Sequence, residues 1–537
     1  MHTADAQDCR SRRTQSRRWW APSAGFFTVL LIGLLWAGRG KMLRDPGTMW
    51  HTVVGQRICE TGHLMQTDPF SFTQQGQAWI AQQWLGECAM AVIHHFAGLD
   101  GLVLWAAVIL AGTFAFLAGR FMRAGLQWPA AAILLVLVIA ASSYHFIPRP
   151  HLVTILLLTL VTALLCDVEA GRVSMRRLLW LPPLFVLWTN IHGGALGGIA
   201  TVFLVQMAWL LRGVPEKLGP SEITHLWHRR PAGGETGETP VPQVNPVLIA
   251  TSLSLCFVAV LVNPYGTALP RVWLSLMHSD LLPRIMIEHA PLRFLSTEGV
   301  MILTLAAVYL GLLAATWRRG LRVTWLVPLV WLVLACSRVR HGPLFAVTAA
   351  VAIADMLPHS PLPAIFARSG STLLDPARAA EAVGLRVMAV PALLVALVFG
   401  VQTAGIRCPL IGAGWCRLDP SYWPVEATKV LREHLAAQPE DRRVFNDMLF
   451  GGYLIYNAPE ARVYIDDRCE LYRDSGLSRY LELRDHPERI EGLSGNAAPR
   501  LALVRSRSQL RRYLEGSPQW SELHRDPTAS LFVRKPD

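Results

Sequence analysis

About eleven apolar runs, each long enough or nearly long enough to cross a bilayer, dominate this chain and fix what it can become. In lipid every backbone polar group must be satisfied within the segment, so such runs become helices. They fall near 22–38, 100–118, 127–144, 151–167, 178–190, 194–211, 246–262, 300–316, 323–337, 343–357 and 386–404. The pair 178–190 and 194–211 also reads as one broken helix. Polar breaks interrupt the runs at Asp45, Arg149-Pro150-His151, Asn190-Ile191-His192-Gly193, Asn263-Pro264-Tyr265-Gly266 and Arg338-Val339-Arg340-His341. If the crossings alternate without a skip, all of these breaks lie at one membrane face. Ionisable groups at membrane depth are costly and point to function, so one shared site is expected there.

A formal charge of +12 does not make this a nucleic-acid binder. Its arginines sit in short clusters between apolar runs, where they set orientation, and form no continuous basic face. Clusters at Arg10–Arg18, Arg120/Arg123, Arg172–Arg177, Arg212–Arg230, Arg318–Arg322 and Arg368/Arg378 share one face, which the positive-inside rule makes cytoplasmic. The run Pro22–Ala37 lacks a small-residue cleavage site and is expected to stay as the first span. The resulting plan has a cytoplasmic tail at 1–21 and a transmembrane domain at 22–404. That domain has a first outer loop at 39–100 and a cytoplasmic loop at 213–245, and an extracytoplasmic α/β domain follows at 405–537. The protein is expected in the cell inner membrane. Nine cysteines leave at least one outside any internal pair; Cys408 and Cys416 either close a small loop or stay free.

In the first outer loop, Met49–Thr61 and Gln83–Phe96 carry apolar residues at helical spacing and suit interfacial helices, with a turn at Asp68-Pro69 between them. Gly213–Val244 reads as a flexible loop. Beyond Arg407 the composition turns charged and mixed. Helices are expected at Val425–Ala437 and Ser508–Leu514. Strands are expected at Arg443–Asn446, Tyr453–Tyr456, Arg462–Ile465, Leu501–Val504 and Ser530–Arg534, giving a partly parallel sheet. Asn446-Asp447 and Asp466-Asp467 fall at strand ends, where open α/β sheets bind ligands; solvated loop acids are the simpler reading.

The stretch Arg44-Asp45-Pro46-Gly47-Thr48-Met49-Trp50 through Glu60-Thr61-Gly62 resembles the opening segment of C-type glycosyltransferases, the group that includes protein O-mannosyltransferases and lipid A aminoarabinose transferases. Trp188-Thr189-Asn190-Ile191-His192-Gly193-Gly194 resembles a motif of large bacterial membrane proteins of this type. The resemblance covers roughly the first 210 residues by motif and the rest by topology. It implies a polytopic helical fold of the C-type glycosyltransferases. It also implies transfer of a sugar from a polyprenyl-phosphate donor to a glycan, lipid or protein acceptor. An acid at the start of the outer loop would be the general base or a metal ligand, and Asp45 matches it. Many members follow with a second acid. Pro46 stands there instead, which leaves Asp68 or Glu87 to supply the second carboxylate and the divalent cation open.

Such chemistry needs a carboxylate to take the proton of the attacking hydroxyl and cations for the departing phosphate. Asp45, Asp68 and Glu87 are the carboxylate candidates. Arg149, Arg338 and Arg340 are the cation candidates, and arginine suits phosphate by its planar fork. His151, His192 and His341 would add donors or a proton relay, and Asn190 and Tyr265 belong to the same breaks. Each has a plainer reading: Asp45 as a helix stop, Arg149 as a headgroup-snorkelling arginine, His192 as a packing histidine, and Glu87 as a solvated interfacial acid. A transporter or flippase, or a scaffold presenting the C-terminal domain, is the competing function. Transporters place their sites at the midplane, often between internal repeats, and neither feature is evident here. Asp45 discriminates: its loss stops sugar transfer but spares a transporter or scaffold.

Overall fold

The computed structural model describes residues 21–213, 245–375, 389–408 and 411–536. The N-terminal arginine cluster, Arg378 and the loop read at 214–244 lie outside the described residues. The molecule is a polytopic helical membrane protein with a small α/β module on one end of its bundle. Among the described residues six helices are long and apolar enough to cross a bilayer, and four shorter apolar helices, such as Pro246–Leu261, accompany them.

Helix α1 (Ala21–Gly38) leads into α2 (Pro46–Thr61). Asp45 caps α2 by accepting the Thr48 N–H at 2.8 Å, Pro46 occupies the first turn, and Gly62 ends the helix at φ 67°. Helix α3 (Trp84–Arg123) joins the second outer-loop helix to the next span. The two segments expected there are continuous, with a break only at Gly98, where φ is 58°.

Helices α4 (Trp128–Ser142), α5 (His151–Glu169), α6 (Leu181–Ile191) and α7 (Ala195–Gly213) follow. Asn190 at the end of α6 meets Trp84, whereas Arg212 at the far end of α7 reaches Glu169. The two are therefore separate antiparallel helices, not one broken helix. After α8 (Pro246–Leu261) comes a short amphipathic helix, α9 (Ala268–Met277). Helices α10 (Thr297–Thr316), α11 (Val327–Ser337) and α12 (Gly342–Met356) complete the central bundle, with α13 (Ala389–Thr403) leading out. The segment containing α12 is 83% buried, so it is the bundle's core helix.

The bundle end away from the module is tied by ion pairs. Arg120 grips Asp167 at 3.0 Å, and Asp355 accepts Arg172 at 2.5 Å and Arg322 at 2.6 Å. These arginines belong to the clusters read as cytoplasmic, and they share one end.

The module opens with α14 (Val425–Ala437). Its sheet runs β2-β1-β3-β5-β4, from β1 (Arg443–Asn446), β2 (Arg462–Val463), β3 (Leu501–Arg505), β4 (Trp520–Arg525) and β5 (Ala529–Arg534). Strands β2, β1 and β3 are parallel, and β3, β5 and β4 antiparallel. Helix α16 (Cys469–Asp485) follows β2, and α17 (Gln509–Gly516) precedes β4.

Two expectations fail here. Tyr453–Tyr456, read as a strand from its aromatic and branched residues, lies in helix α15 (Met448–Asn457). Asp447 caps that helix, and both its faces are buried, so no polar alternation marks it. Strand β4 went unread because Ser521–His524 is polar and mostly exposed.

Module and bundle share structure. Gly452 of α15 packs on α2 so closely that a Cβ there would strike the Pro46 carbonyl. The outer-loop segment 70–72 pairs with β2 through Phe72 N to Val463 O at 3.1 Å and Val463 N to Phe70 O at 3.2 Å. This covers the sheet edge. Trp423 donates to the Leu43 carbonyl at 3.0 Å, and Arg44 pairs with Asp419 at 2.6 Å.

Candidate active site at the junction of bundle and module

Asp45 becomes a site residue because the helix cap fixes it. One carboxylate oxygen takes the Thr48 N–H at 2.8 Å and its hydroxyl at 3.2 Å. Arg149, held at the outer end of α5 by the Arg149-Pro150 turn, closes on the same carboxylate through Nε and Nη2, both at 2.5 Å. The approach requires Gly47, because a Cβ there would fall on the guanidinium. Arg149 Nη2 also donates to Asp467 Oδ2 of the module at 2.9 Å. Glu288, between α9 and α10, stands 4.0 Å from Nη1.

The second oxygen of Asp467 is buried and has no hydrogen-bond partner. Burial, with Asp45 and Asp466 adding to it against the pull of Arg149, pushes the Asp467 carboxyl up to about 7. Burial alone would raise Glu288 too, but Arg149 and Arg340 reverse this and hold it well below the usual carboxylate range. The charge of Arg149 is opposed by burial and secured by Asp45, Asp467 and Glu288, which raise its pKa.

The remaining candidates sort by contact. Arg340 donates to His289 at 2.6 Å, and Arg338 approaches the other nitrogen of that ring at 3.4 Å and donates to the Met277 carbonyl at 3.0 Å. Burial and Arg340 bring His289 down to about 3, so its ring is neutral and accepts from Arg340. His151 donates to the His145 carbonyl at 2.9 Å and lies 6.3 Å, centre to centre, from His192. His192 Nδ1 accepts from Gly194 N and pairs with Thr154, each at 2.9 Å, which puts the ring proton on Nε2. Asn190 joins Trp84 to the Val262 carbonyl.

Of the predicted site residues only Asp45 has a side-chain hydrogen bond or ion pair with Arg149, and four others are engaged with partners of their own. Asp68 is wholly taken up by Ser71, Phe70 N and Arg468, at 2.8 Å for the last. Glu87 is not a solvated acid: it is buried against His51 at 2.8 Å. Tyr265 donates to the Met65 carbonyl of the loop after α2 at 3.3 Å. His341 is held by the Leu334 carbonyl. Sequence reasoning missed Glu288 and His289, which sit in a loop without periodicity. It noted Asp467 only as a strand-end acid.

A divalent cation does not fit these side chains. Both oxygens of Asp45 are committed to Arg149, Asp68 is committed to Arg468, and no group of three metal-ligating side chains occurs among the described residues.

Fold and site together define a polytopic membrane protein whose polar centre is closed by its own C-terminal module. Compared by sequence, the chain matches no protein-family model and no curated protein. Among solved structures it is similar to ArnT from Cupriavidus metallidurans bound to undecaprenyl phosphate. The identity is 14% and the TM-score 0.48, over 95% of this chain and 98% of that one.

Proposed function

We propose that this chain is a membrane glycosyltransferase that moves a sugar from a polyprenyl-phosphate donor to a hydroxyl acceptor at the extracytoplasmic face. The observation that carries the reading is the Asp45–Arg149–Asp467 cluster, with its one buried carboxylate oxygen left open. In the reaction the acceptor oxygen bonds to the anomeric carbon. The bond from that carbon to the phosphate oxygen breaks, the phosphate leaves with the electron pair, and the hydroxyl proton passes to a carboxylate.

Asp467 suits that last role better than Asp45. Asp45 already accepts four hydrogen bonds, with both oxygens engaged by Arg149, whereas Asp467 has a free oxygen and a carboxyl pushed up to about 7. Asp45 then serves to hold Arg149. Arg340, oriented through His289, and Arg338, held by the Met277 carbonyl, supply positive charge for the departing phosphate. The arginine-rich opposite end of the bundle supports an extracytoplasmic module.

The test is release of free polyprenyl phosphate from an undecaprenyl-phosphate-linked radiolabelled sugar by the purified full chain, with membrane glycolipids as acceptor. Wild type should release it, and Asp45→Asn and Asp467→Asn should not. Equal release by all three would remove the proposal.

A further inference from the structure

A second polar cleft lies outside the cluster around Arg149. It encloses about 600 Å³ between residues 78–80 of the outer loop, helix α9 and the start of α16. That volume holds a sugar-sized molecule. Its walls carry Trp79, Arg271, Glu470, Arg473 and Asp474.

The opposite charges on these walls do not pair with one another. Among the described residues neither Arg271 nor Arg473 has an ion pair or a side-chain hydrogen bond. Asp474 accepts the Ser279 hydroxyl at 2.5 Å, and Glu470 accepts the Trp79 indole N–H at 3.1 Å. Two guanidinium groups and two carboxylates therefore line the cleft, and neither guanidinium is neutralised by a direct contact with either carboxylate.

The backbone adds an independent sign. Arg473, with φ 52° and ψ −178°, is the only non-glycine residue at positive φ among the described residues. That conformation is nearly reserved for glycine, and such strain gathers at ligand clamps. It breaks α16 at the position where the arginine joins the wall.

We propose that this cleft binds a polyol carrying a phosphate or carboxylate, with Arg271 and Arg473 gripping the anion and the Trp79–Glu470 pair facing the polyol. Guanidinium forks match both anions. Cys469 and Glu470 of the cleft directly follow Asp467 and Arg468, so a ligand seated there adjoins the junction cluster. Its use as the acceptor seat rests on the proposed glycosyl transfer; the binding itself does not. The polyol is either free or carried by a lipid. Leu274 and Met277 of α9, 48% and 55% exposed, give a lipid's chains apolar surface beside the cleft.

The experiment uses the full chain. Equilibrium dialysis in detergent measures radiolabelled glucose 6-phosphate against glucose, and native mass spectrometry counts phosphatidylinositol retained from mixed phosphatidylcholine nanodiscs. Saturable glucose 6-phosphate binding, weakened about tenfold or more by Arg271→Gln and by Arg473→Gln, supports a free ligand. Selective retention of phosphatidylinositol alone, lost in both variants, supports a lipid-borne one. Arg473→Gly fits the backbone, so it should melt no lower than wild type yet lose the ligand. Binding of neither probe, or binding unchanged in the variants, overturns the proposal. Arg149→Gln should abolish transfer and spare cleft binding; if it removes both, the cleft is not a separate site. Cleft binding without any transfer by wild type would sink the enzymatic reading alone.

Discussion

Gly47 and Arg149 occupy touching space: the missing side chain of one is the room taken by the guanidinium of the other. The glycine sits in the first turn of α2, two residues after the cap, so Asp45 and the vacancy for its partner arrive together. Gly47→Ala should displace Arg149 from both carboxylates. Overpacking of this kind costs about 1–3 kcal/mol, and sugar transfer should fall by at least about tenfold while the helix content in circular dichroism stays the same. Unchanged transfer would show that Arg149 need not touch Asp45.

Asp467 gives the reaction a pH signature. Its carboxyl lies near 7, so the proton-accepting form grows as pH rises through that value. The transfer rate kcat/KM should climb with unit slope below about pH 7 and level off above it. Asp467→Asn should lose about 10²–10⁴ in rate and the limb with it. The stability effect has the opposite sign. A carboxyl raised from 3.8 to about 7 stabilises the folded form while protonated, and that contribution is lost as pH rises through about 7. A flat rate profile from pH 5 to 8 would assign the proton to another group.

Asp68 and Arg468 form a fully buried pair, and Arg468 is also held by Asp466 at 2.7 Å. Removing Asp68 leaves Arg468 paired with Asp466 but takes the acceptor from Arg468 Nη1, the Ser71 hydroxyl and the Phe70 and Ser71 N–H groups, at a cost of about 1–3 kcal/mol for each buried donor left unpaired. Asp68→Ala should therefore lower the melting temperature sharply and expose the module to protease. If it melts like wild type and only transfer fails, Asp68 belongs to the chemistry after all.

Glu87→Gln should be mild. The amide keeps a hydrogen bond to His51, whose ring burial drives toward the neutral form. Transfer should stay within about tenfold of wild type, far above the loss expected for a general base. A loss equal to that of Asp467→Asn would make Glu87 a reacting group.

The architecture was legible where lipid leaves few choices. Apolar runs and arginine clusters place the crossings and collect the polar breaks at one end, and Asp45 and Arg149 stand out because each interrupts such a run. The structure puts these two in contact. The sequence marks Asp467 as a strand-end acid that could bind a ligand or cap the membrane site but not as the partner of Arg149, because it emerges from a soluble sheet whose docking depends on three-dimensional packing at Gly452. Glu288 and His289 lie in a loop with no periodic pattern. Asp68 and Glu87 looked available because burial and pairing are invisible in a one-dimensional reading; Asp68 is taken up by Arg468 and its own turn, and Glu87 is buried with one oxygen on His51 and the other without a hydrogen-bond partner among the described residues. Helix α15 misled through composition alone, since its glycines serve contact and its aromatic residues pack on every side.

The pairing of segment 70–72 with β2 has a consequence for how the molecule is made. The segment at the edge of the sheet is synthesised long before the strands it must join. Until the module is made, Arg149 has no Asp467 and segment 70–72 no sheet to lean on. The junction cluster therefore assembles only after the module has folded against the bundle, late in synthesis.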